Sequence, residues 1–391
     1  MQNSIWTYSW DIQDVGMAEF LADIRERAGA DMVSLAVSYH AGRFLQPRSP
    51  KRKVYFPEDG TVYYRPDPAL WDKASIAPLV ARNVEEGGDM LAALVAERER
   101  GGPAVSAWTV CLHNTRLGLL HPGEVTRTAF DDANSYSLCP SSPAARRYVT
   151  GLVRDITTRY RPDRLELESP SFMGFAHGYH HEKDGVGLLP EDDFLLSLCF
   201  CRHCTAQAGA AGIDMAEARR MVRGFVAAAC ERAVPEPQLP DFPARGIDAF
   251  APWPALHEFL AWRRTPVMSL LAEIRAAADP ATRLVLVEGR DAWLGGVDLA
   301  EAGRLLDGLV LCAYDMAPEA VARLAREGRR LVGPDRFLGL GYRLFHPEMR
   351  DEADFVAKVA AGRAEGVDGL NVYNYGLVPR PRLDWVRAAL A

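Results

Sequence analysis

The stretch "DRLELE" (163–168) opens with an acid and then alternates apolar and charged residues, the period-two pattern of a β-strand. Its recurrence decides the fold. "DMVSLAVSY" (31–39), "DGLVLCAY" (307–314) and "DGLNVYNY" (368–375) align with it on the leading acid, at Asp31, Asp163, Asp307 and Asp368. The second and fourth residues after that acid are always apolar: Val33 and Leu35, Leu165 and Leu167, Leu309 and Leu311, Leu370 and Val372. Side chains alternate across a strand, so these residues are expected to pack on outer helices. The opposite set, Ser34, Ala36 and Ser38, Glu166 and Glu168, Val310, Cys312 and Tyr314, and Asn371, Tyr373 and Tyr375, is expected to meet in an interior. Four more β-rich runs interleave with these, at 4–10, 104–112, 283–288 and 336–342, and amphipathic stretches such as "SPAARRYVTGLVRDITTRY" separate them. Eight strands alternating with helices predict an α/β fold, a closed (β/α)8 TIM barrel, in preference to a flat doubly wound sheet.

The whole chain, 1–391, reads as one barrel domain with two excursions. Residues 46–71, with "RKVYFPEDGTVYYRP", are expected to form a β-hairpin inserted after the second strand, its turn at Asp59-Gly60. Residues 169–254, after the fourth strand, hold a cysteine cluster, a helical stretch and the Pro-rich "PEPQLPDFPARG", and predict a lid or subdomain beside the barrel mouth.

The net charge of −7, without any Lys/Arg-rich run, argues against a nucleic-acid partner. No apolar run is long enough to span a bilayer, and the first residues lack a basic segment followed by an apolar one, so a cytoplasmic location is expected. No Gly-rich phosphate loop, dinucleotide fingerprint or serine nucleophile elbow occurs in its strand-turn-helix context, so no organic cofactor is expected. The oligomeric state is left open between a monomer and a homo-oligomer.

"SLCFCRHC" (197–204) crowds Cys199, Cys201 and Cys204 into six residues, a spacing that lets a tight turn wrap a tetrahedral zinc ion. A closed structural site needs a fourth ligand. Cys139, in "SLCPSSPAARRY" at the start of the third helix, is preferred to His203, because adjacent residues in a tight turn rarely both reach one metal. Four thiolates leave no open coordination position, so such a zinc would staple the excursion to the barrel rather than catalyse.

A cysteine in a "CxSSP" context, a Glu ending the fourth strand and a following Cys-x-Cys-x-x-Cys together resemble glycoside hydrolase family 42, the β-galactosidase-like TIM-barrel enzymes. The resemblance covers about 108–204 and implies structural zinc on Cys139, Cys199, Cys201 and Cys204, with Glu168 as the acid/base carboxyl. The chain departs from the family in having Leu167 where the family has Asn, and in lacking a nucleophilic Glu at the end of strand seven, where only Glu348 follows.

Position alone also favours Glu168, since barrel active sites lie at the carboxyl ends of the strands and apolar walls there raise a carboxyl pKa into the working range of a general acid. Glu166, one layer deeper, is expected to be structural, paired with a buried Arg or sharing a proton with Glu168. Glycoside cleavage commonly needs a second carboxyl, and Asp315, Glu288 and, third, Asp11 stand at the correct end, with substrate assistance as the remaining route. "GFAHGYHHEK" (174–183) offers His177, His180, His181 and Glu182 for sugar contacts or a second metal. Trp10, Tyr39, His40, Trp108, His113, Trp293, Tyr314, Tyr342, Asn371 and Tyr373 supply flat apolar faces and hydrogen-bonding groups near the mouth, as sugar rings require. The expected function is a glycosidase acting on a small or partly degraded saccharide. The alternatives are a metal-dependent sugar isomerase, epimerase or lyase using the histidine loop, and a barrel that binds carbohydrate without turning it over.

Overall fold

The computed structural model describes residues 2–176 and 182–391. Eight parallel strands form a ring: β1 (Gln2–Thr7), β2 (Met32–Tyr39), β3 (Ala104–Val110), β4 (Arg164–Glu168), β5 (Arg283–Glu288), β6 (Gly308–Cys312), β7 (Phe337–Arg343) and β8 (Gly369–Tyr373). β1 pairs with both β8 and β2, so the ring closes and has no open edge. Helices including Pro143–Asp155, Arg264–Ala277, Pro318–Val332 and Glu352–Ala364 cover the outside. Val33, Leu35, Leu165, Leu167, Leu309, Leu311, Leu370 and Val372 are all buried in the core between ring and helices, the face that alternation assigns them. The fold is a (β/α)8 TIM barrel.

The repeated acids are backbone clamps. Each lies one residue ahead of an even-numbered strand and accepts a hydrogen bond from a backbone N–H of the preceding odd strand: Asp31 from Asn3 (2.8 Å), Asp163 from Val105 (2.9 Å), Asp307 from Leu284 (2.8 Å) and Asp368 from Leu338 (2.8 Å). A strand-end donor near the barrel floor thereby gains a charged acceptor. Arg98, Arg275 and Arg329 pair with Asp163, Asp307 and Asp368 in turn.

Inside the ring a polar layer forms around Glu166. Its carboxylate accepts from Trp6 Nε1 (2.6 Å), Ser34 Oγ (2.7 Å), Ser106 Oγ (3.0 Å), Asn371 Nδ2 (2.9 Å) and the Arg164 guanidinium (2.5 Å). Arg164 and Glu166 are both fully buried, so the charge is compensated and its acceptor sites are filled. Of the two roles weighed for Glu166, the structure shows pairing with a buried Arg.

Three local features redirect side chains. The β2–β3 register slips between Ala36 and Ser38, a bulge that flips the alternation: Ser38 turns to the Val110 carbonyl (2.9 Å) and Tyr39 enters the mouth in its place. β1 ends at Thr7 and the helix Ser9–Val15 begins at once, which carries Trp10 away from the strand. β8 ends at Tyr373, and Tyr375 leaves the interior to pack on Phe20 and donate to Asp23 (3.0 Å).

After β2, Phe44–Leu45 pairs antiparallel with Val54–Tyr55, and Thr61–Val62 pairs with the end of β2, so the hairpin turns between Leu45 and Val54 and not at Asp59-Gly60, which leads instead into the strand that joins β2. After β3 a second antiparallel pair, Val125–Arg127 with Ala133–Leu138, leads straight to Cys139. After β4 the helices Pro190–Ser197, Arg202–Ala210, Met215–Glu231 and Pro254–Trp262 gather a separate apolar core that includes Phe194, Val222, Phe250 and Phe259. Among the described residues no helix is long and apolar enough to cross a membrane.

Candidate active site

β4 and β5 are neighbours, and each ends in a glutamate, Glu168 and Glu288. Both line one cavity of about 300 Å³ in the mouth of the barrel, with Trp6, Tyr39, Trp108, Tyr314, Arg343 and Tyr373 as its principal walls. Its place at the carboxyl ends of the strands is where barrel enzymes keep their chemistry. Glu288 is reached against strict alternation: Val285 and Val287 face the interior and Leu284 and Leu286 the helices, and the strand's last residue turns back over the rim.

Burial pushes the Glu168 carboxyl up to about 7, the negative Glu166 beneath it pushes the same way, and the hydrogen bond from Trp108 Nε1 to Oε2 (2.5 Å) opposes both. Burial likewise pushes Glu288 up to about 7, helped by the charge of Glu168 and opposed by the Gly289 N–H at 3.0 Å. Two mutually repelling, largely desolvated carboxyls in one cavity hold a proton near neutrality, the condition for general acid–base chemistry.

Aromatic rings build the walls. Trp108 meets Trp6 at 5.9 Å, Tyr39 at 5.1 Å and Tyr373 at 5.9 Å between ring centroids. The phenol of Tyr8 binds the Tyr373 phenol at 2.6 Å and donates to that of Tyr39 at 3.0 Å. Burial raises all three phenol pKa values, so the cluster stays protonated and offers neutral hydroxyls. Arg343 lies over the Tyr314 ring at 4.4 Å and is held by Glu348 through Nε at 2.9 Å.

Several expected residues stand elsewhere. Asp315 is exposed, with φ +49°, and is not part of the cavity wall. Asp11 is buried and accepts from Thr7 Oγ1 (3.1 Å) and the Tyr8 N–H (2.9 Å), fixing the turn after β1. Trp10 stacks on the far side of Tyr8 at 4.4 Å. Trp293 packs against Phe194 and Phe242 in the core of the excursion. Asn371 lies one layer down, on Glu166, and Tyr342 points outward, against Phe355. His40 and His113 stack on each other at 4.1 Å, and His40 stacks on Tyr39 at 4.3 Å, so they back the wall without lining the cavity. His177, His180 and His181 lie outside the described residues. Trp6 and Arg343 were missed in the sequence reading, although alternation carries the signal. Arg343 follows Gly339 and Gly341 on the inward face of β7, and a Cβ at Gly341 would come within 3.0 Å of the Trp6 ring.

The four cysteines converge. The sulfurs of Cys139, Cys199, Cys201 and Cys204 all lie within 4.8 Å of one another, with Cys139 at 3.9, 3.6 and 3.5 Å from the other three in that order. A tetrahedral ion with bonds of about 2.3 Å would set sulfurs about 3.8 Å apart, so the donor set can hold a metal. His203 turns instead to Glu124, at 3.1 Å. Arg263 adds a second indication. It is 1% exposed, its guanidinium lies over the rings of Phe172 (4.9 Å) and Phe194 (5.3 Å), and its Nε and one Nη have no hydrogen-bond partner. Burial pulls its pKa down to about 10 while the nearby Cys204 and Cys199 pull it back up. A divalent ion on four thiolates carries a net charge of −2, which a buried guanidinium would offset.

The chain matches no protein-family model and no curated protein sequence. Solved structures do share its fold. The glycoside hydrolase domain of PgaB (BpsB) from Bordetella bronchiseptica superposes with a TM-score of 0.57 at 14% identity, over 100% of this chain and 99% of that one. Alpha-L-fucosidase isoenzyme 2 from Paenibacillus thiaminolyticus gives 0.55 at 12% identity, over 99% of this chain and 48% of the other. At these identities the likeness is one of fold: the chain has the barrel architecture on which both of those glycosidase structures are built.

Proposed function

We propose that the protein hydrolyses a glycosidic bond, with Glu168 as general acid and Glu288 as the second carboxyl. The observation that carries this is the pair itself: two glutamates ending adjacent strands share one aromatic-walled cavity, and burial holds both near pH 7. Protonated Glu168, its other oxygen held by Trp108, gives its proton to the departing glycosidic oxygen. Ionised Glu288 then acts on the anomeric carbon, directly or through water. The rings of Trp108 and Tyr373 offer faces for a sugar, and the Tyr8, Tyr39 and Tyr373 hydroxyls offer neutral hydrogen bonds.

The four thiols and the position of Glu168 support a family 42-like reading, with structural zinc as the metal. The second carboxyl then sits on β5, because the β7 position of that family's nucleophile holds Arg343, which Glu348 engages. The test is a screen of α- and β-aryl glycosides and oligosaccharides, with the first-formed product anomer read by proton NMR. Glu168→Gln should lower turnover by orders of magnitude and regain activity on substrates whose leaving group needs no proton. Wild-type rates in that variant on ordinary glycosides would refute the assignment.

A further inference from the structure

A second cavity, of about 550 Å³, lies beside the mouth and shares no wall residue with the first. It is bounded by the helix Ser9–Val15, the inserted hairpin and the helix Arg82–Gly87, all in connections that follow β1 and β2 at the carboxyl face of the barrel. Aromatic carbon forms one side. The buried Trp10 indole is backed face to face by Tyr8 (8° between planes), Tyr55 leans on it at 5.0 Å, and Phe56 stands at the edge with 67% of its surface exposed. Leaving a phenylalanine in water forfeits about 2 kcal/mol of burial. Such a residue is available to a ligand.

The other side is polar and held in place. Gln13 Nε2 donates to the Asn83 carbonyl (2.9 Å), and Asn83 Nδ2 donates to Ser9 Oγ (2.8 Å) and Gln13 Oε1 (3.3 Å). The Asn83 Oδ1 atom is itself buried, so this amide holds Ser9 and Gln13 in place from behind the cavity surface. The charges balance. Arg82 faces Glu58 at 3.9 Å, while Arg52 (2.7 Å) and Lys51 (3.9 Å) both face Asp14, buried just behind the wall, and with Glu86 in the wall the three bases meet three acids. A phosphate or a polyamine would find no net field here. A neutral, hydroxyl-rich ring with one apolar face would find stacking surface, fixed amides and paired charges whose outer edges can donate and accept.

We infer that this cavity is a second, non-catalytic binding site for a neutral saccharide, with Phe56 and Tyr55 as its stacking platform and Arg82 as its polar contact. It stands whether or not the mouth hydrolyses anything. The test is isothermal titration of the full chain carrying Glu168→Gln, which removes turnover, with cello-, manno- and chitohexaose, and with hexagalacturonate as the anionic control. At least one neutral hexaose is expected to bind, with Phe56→Ala and Arg82→Ala each weakening it at least tenfold while Trp108→Ala, in the mouth, leaves that binding in place. Circular dichroism of the exposed-site variants should be unchanged. Three results would overturn the inference: binding that only Trp108→Ala abolishes, preference for the galacturonate, or no binding of any neutral hexaose by folded protein.

Discussion

Glu168 and Glu288 carry a cost that can be measured. A carboxyl raised from 4.5 to about 7 keeps its proton in the folded chain while the unfolded chain releases it. The native state therefore binds more protons, and stability falls as pH rises from about 4.5 to 7 and is flat above. A shift of this size corresponds to about 3 kcal/mol per group, less where water enters the mouth. Glu288→Gln should thus be more stable than the parent at pH 8 by roughly 1–3 kcal/mol, and the gain should shrink below about 1 kcal/mol at pH 5. Denaturant melts at the two pH values check this, and a gain independent of pH would mean that Glu288 titrates normally. The same pair predicts a bell-shaped rate profile centred near neutrality: the acidic limb is protonation of the carboxyl that must be ionised, the basic limb loss of the Glu168 proton. At the cysteine cluster, with the proposed zinc loaded, Arg263→Met should speed loss of the ion to a chelator while Arg263→Lys partly restores retention, read as metal release and not as activity. Equal release rates in all three proteins would leave Arg263 without a part in holding the ion.

Among the elements, the four clamps make the barrel's internal repeat physical. Each removes one strand-end N–H from the unsatisfied set, and a hydrogen bond to a charged group contributes about 1.5–3 kcal/mol. Asp307→Ala should therefore destabilise the fold by about that amount, because it also strands the Leu284 N–H and the Arg275 guanidinium. Asp307→Asn, which keeps an acceptor oxygen, should cost less; equal losses in urea melts would assign the effect to packing. These acids were legible because they stand at one offset in four runs, and so was the outward apolar face, because strand side chains strictly alternate. Legibility ended where alternation did. The bulge at Ala36 and Ser38 moved Tyr39 inward, the early helix took Trp10 away from the mouth, and the turn after Tyr373 sent Tyr375 outside. Tyr342 and Arg343 show the opposite case: alternation along β7 put the arginine inside and the tyrosine outside, and attention to aromatic residues near strand ends missed it. Asp315 has the correct place in sequence, but its chain turns it to solvent.

At the scale of the molecule, the cysteine cluster sits at the seam between two parts of the chain, beside the contacts of Arg202 and His203 with Glu124 and of Gln207 with the Ser141 carbonyl. Cys139 belongs to the segment that enters the barrel helix Pro143–Asp155, whereas Cys199, Cys201 and Cys204 belong to the excursion, which has an apolar core of its own. An ion bound by all four therefore closes a loop of some sixty residues, and cross-links of that kind act mainly by restricting the unfolded chain. The barrel ring, by contrast, is completed by its own hydrogen bonds and has no need of the metal to close. Stripping the metal proposed for the cluster with a thiol-reactive reagent and a chelator should consequently loosen the excursion before the ring. Cleavage by a protease should appear first between residues 183 and 253, at a denaturant concentration where far-ultraviolet circular dichroism still reports most of the helix and strand content. Readdition of zinc under reducing conditions should restore protection with one ion per chain. The Glu168–Glu288 cavity is built from β1, β2, β3, β4, β5, β6, β7 and β8 ends and not from the cluster, so an aryl glycoside that needs only that cavity should still be turned over slowly by the stripped protein, while larger saccharides that reach the excursion lose more. Simultaneous loss of protection in the barrel and the excursion would show instead that the metal holds up the whole fold.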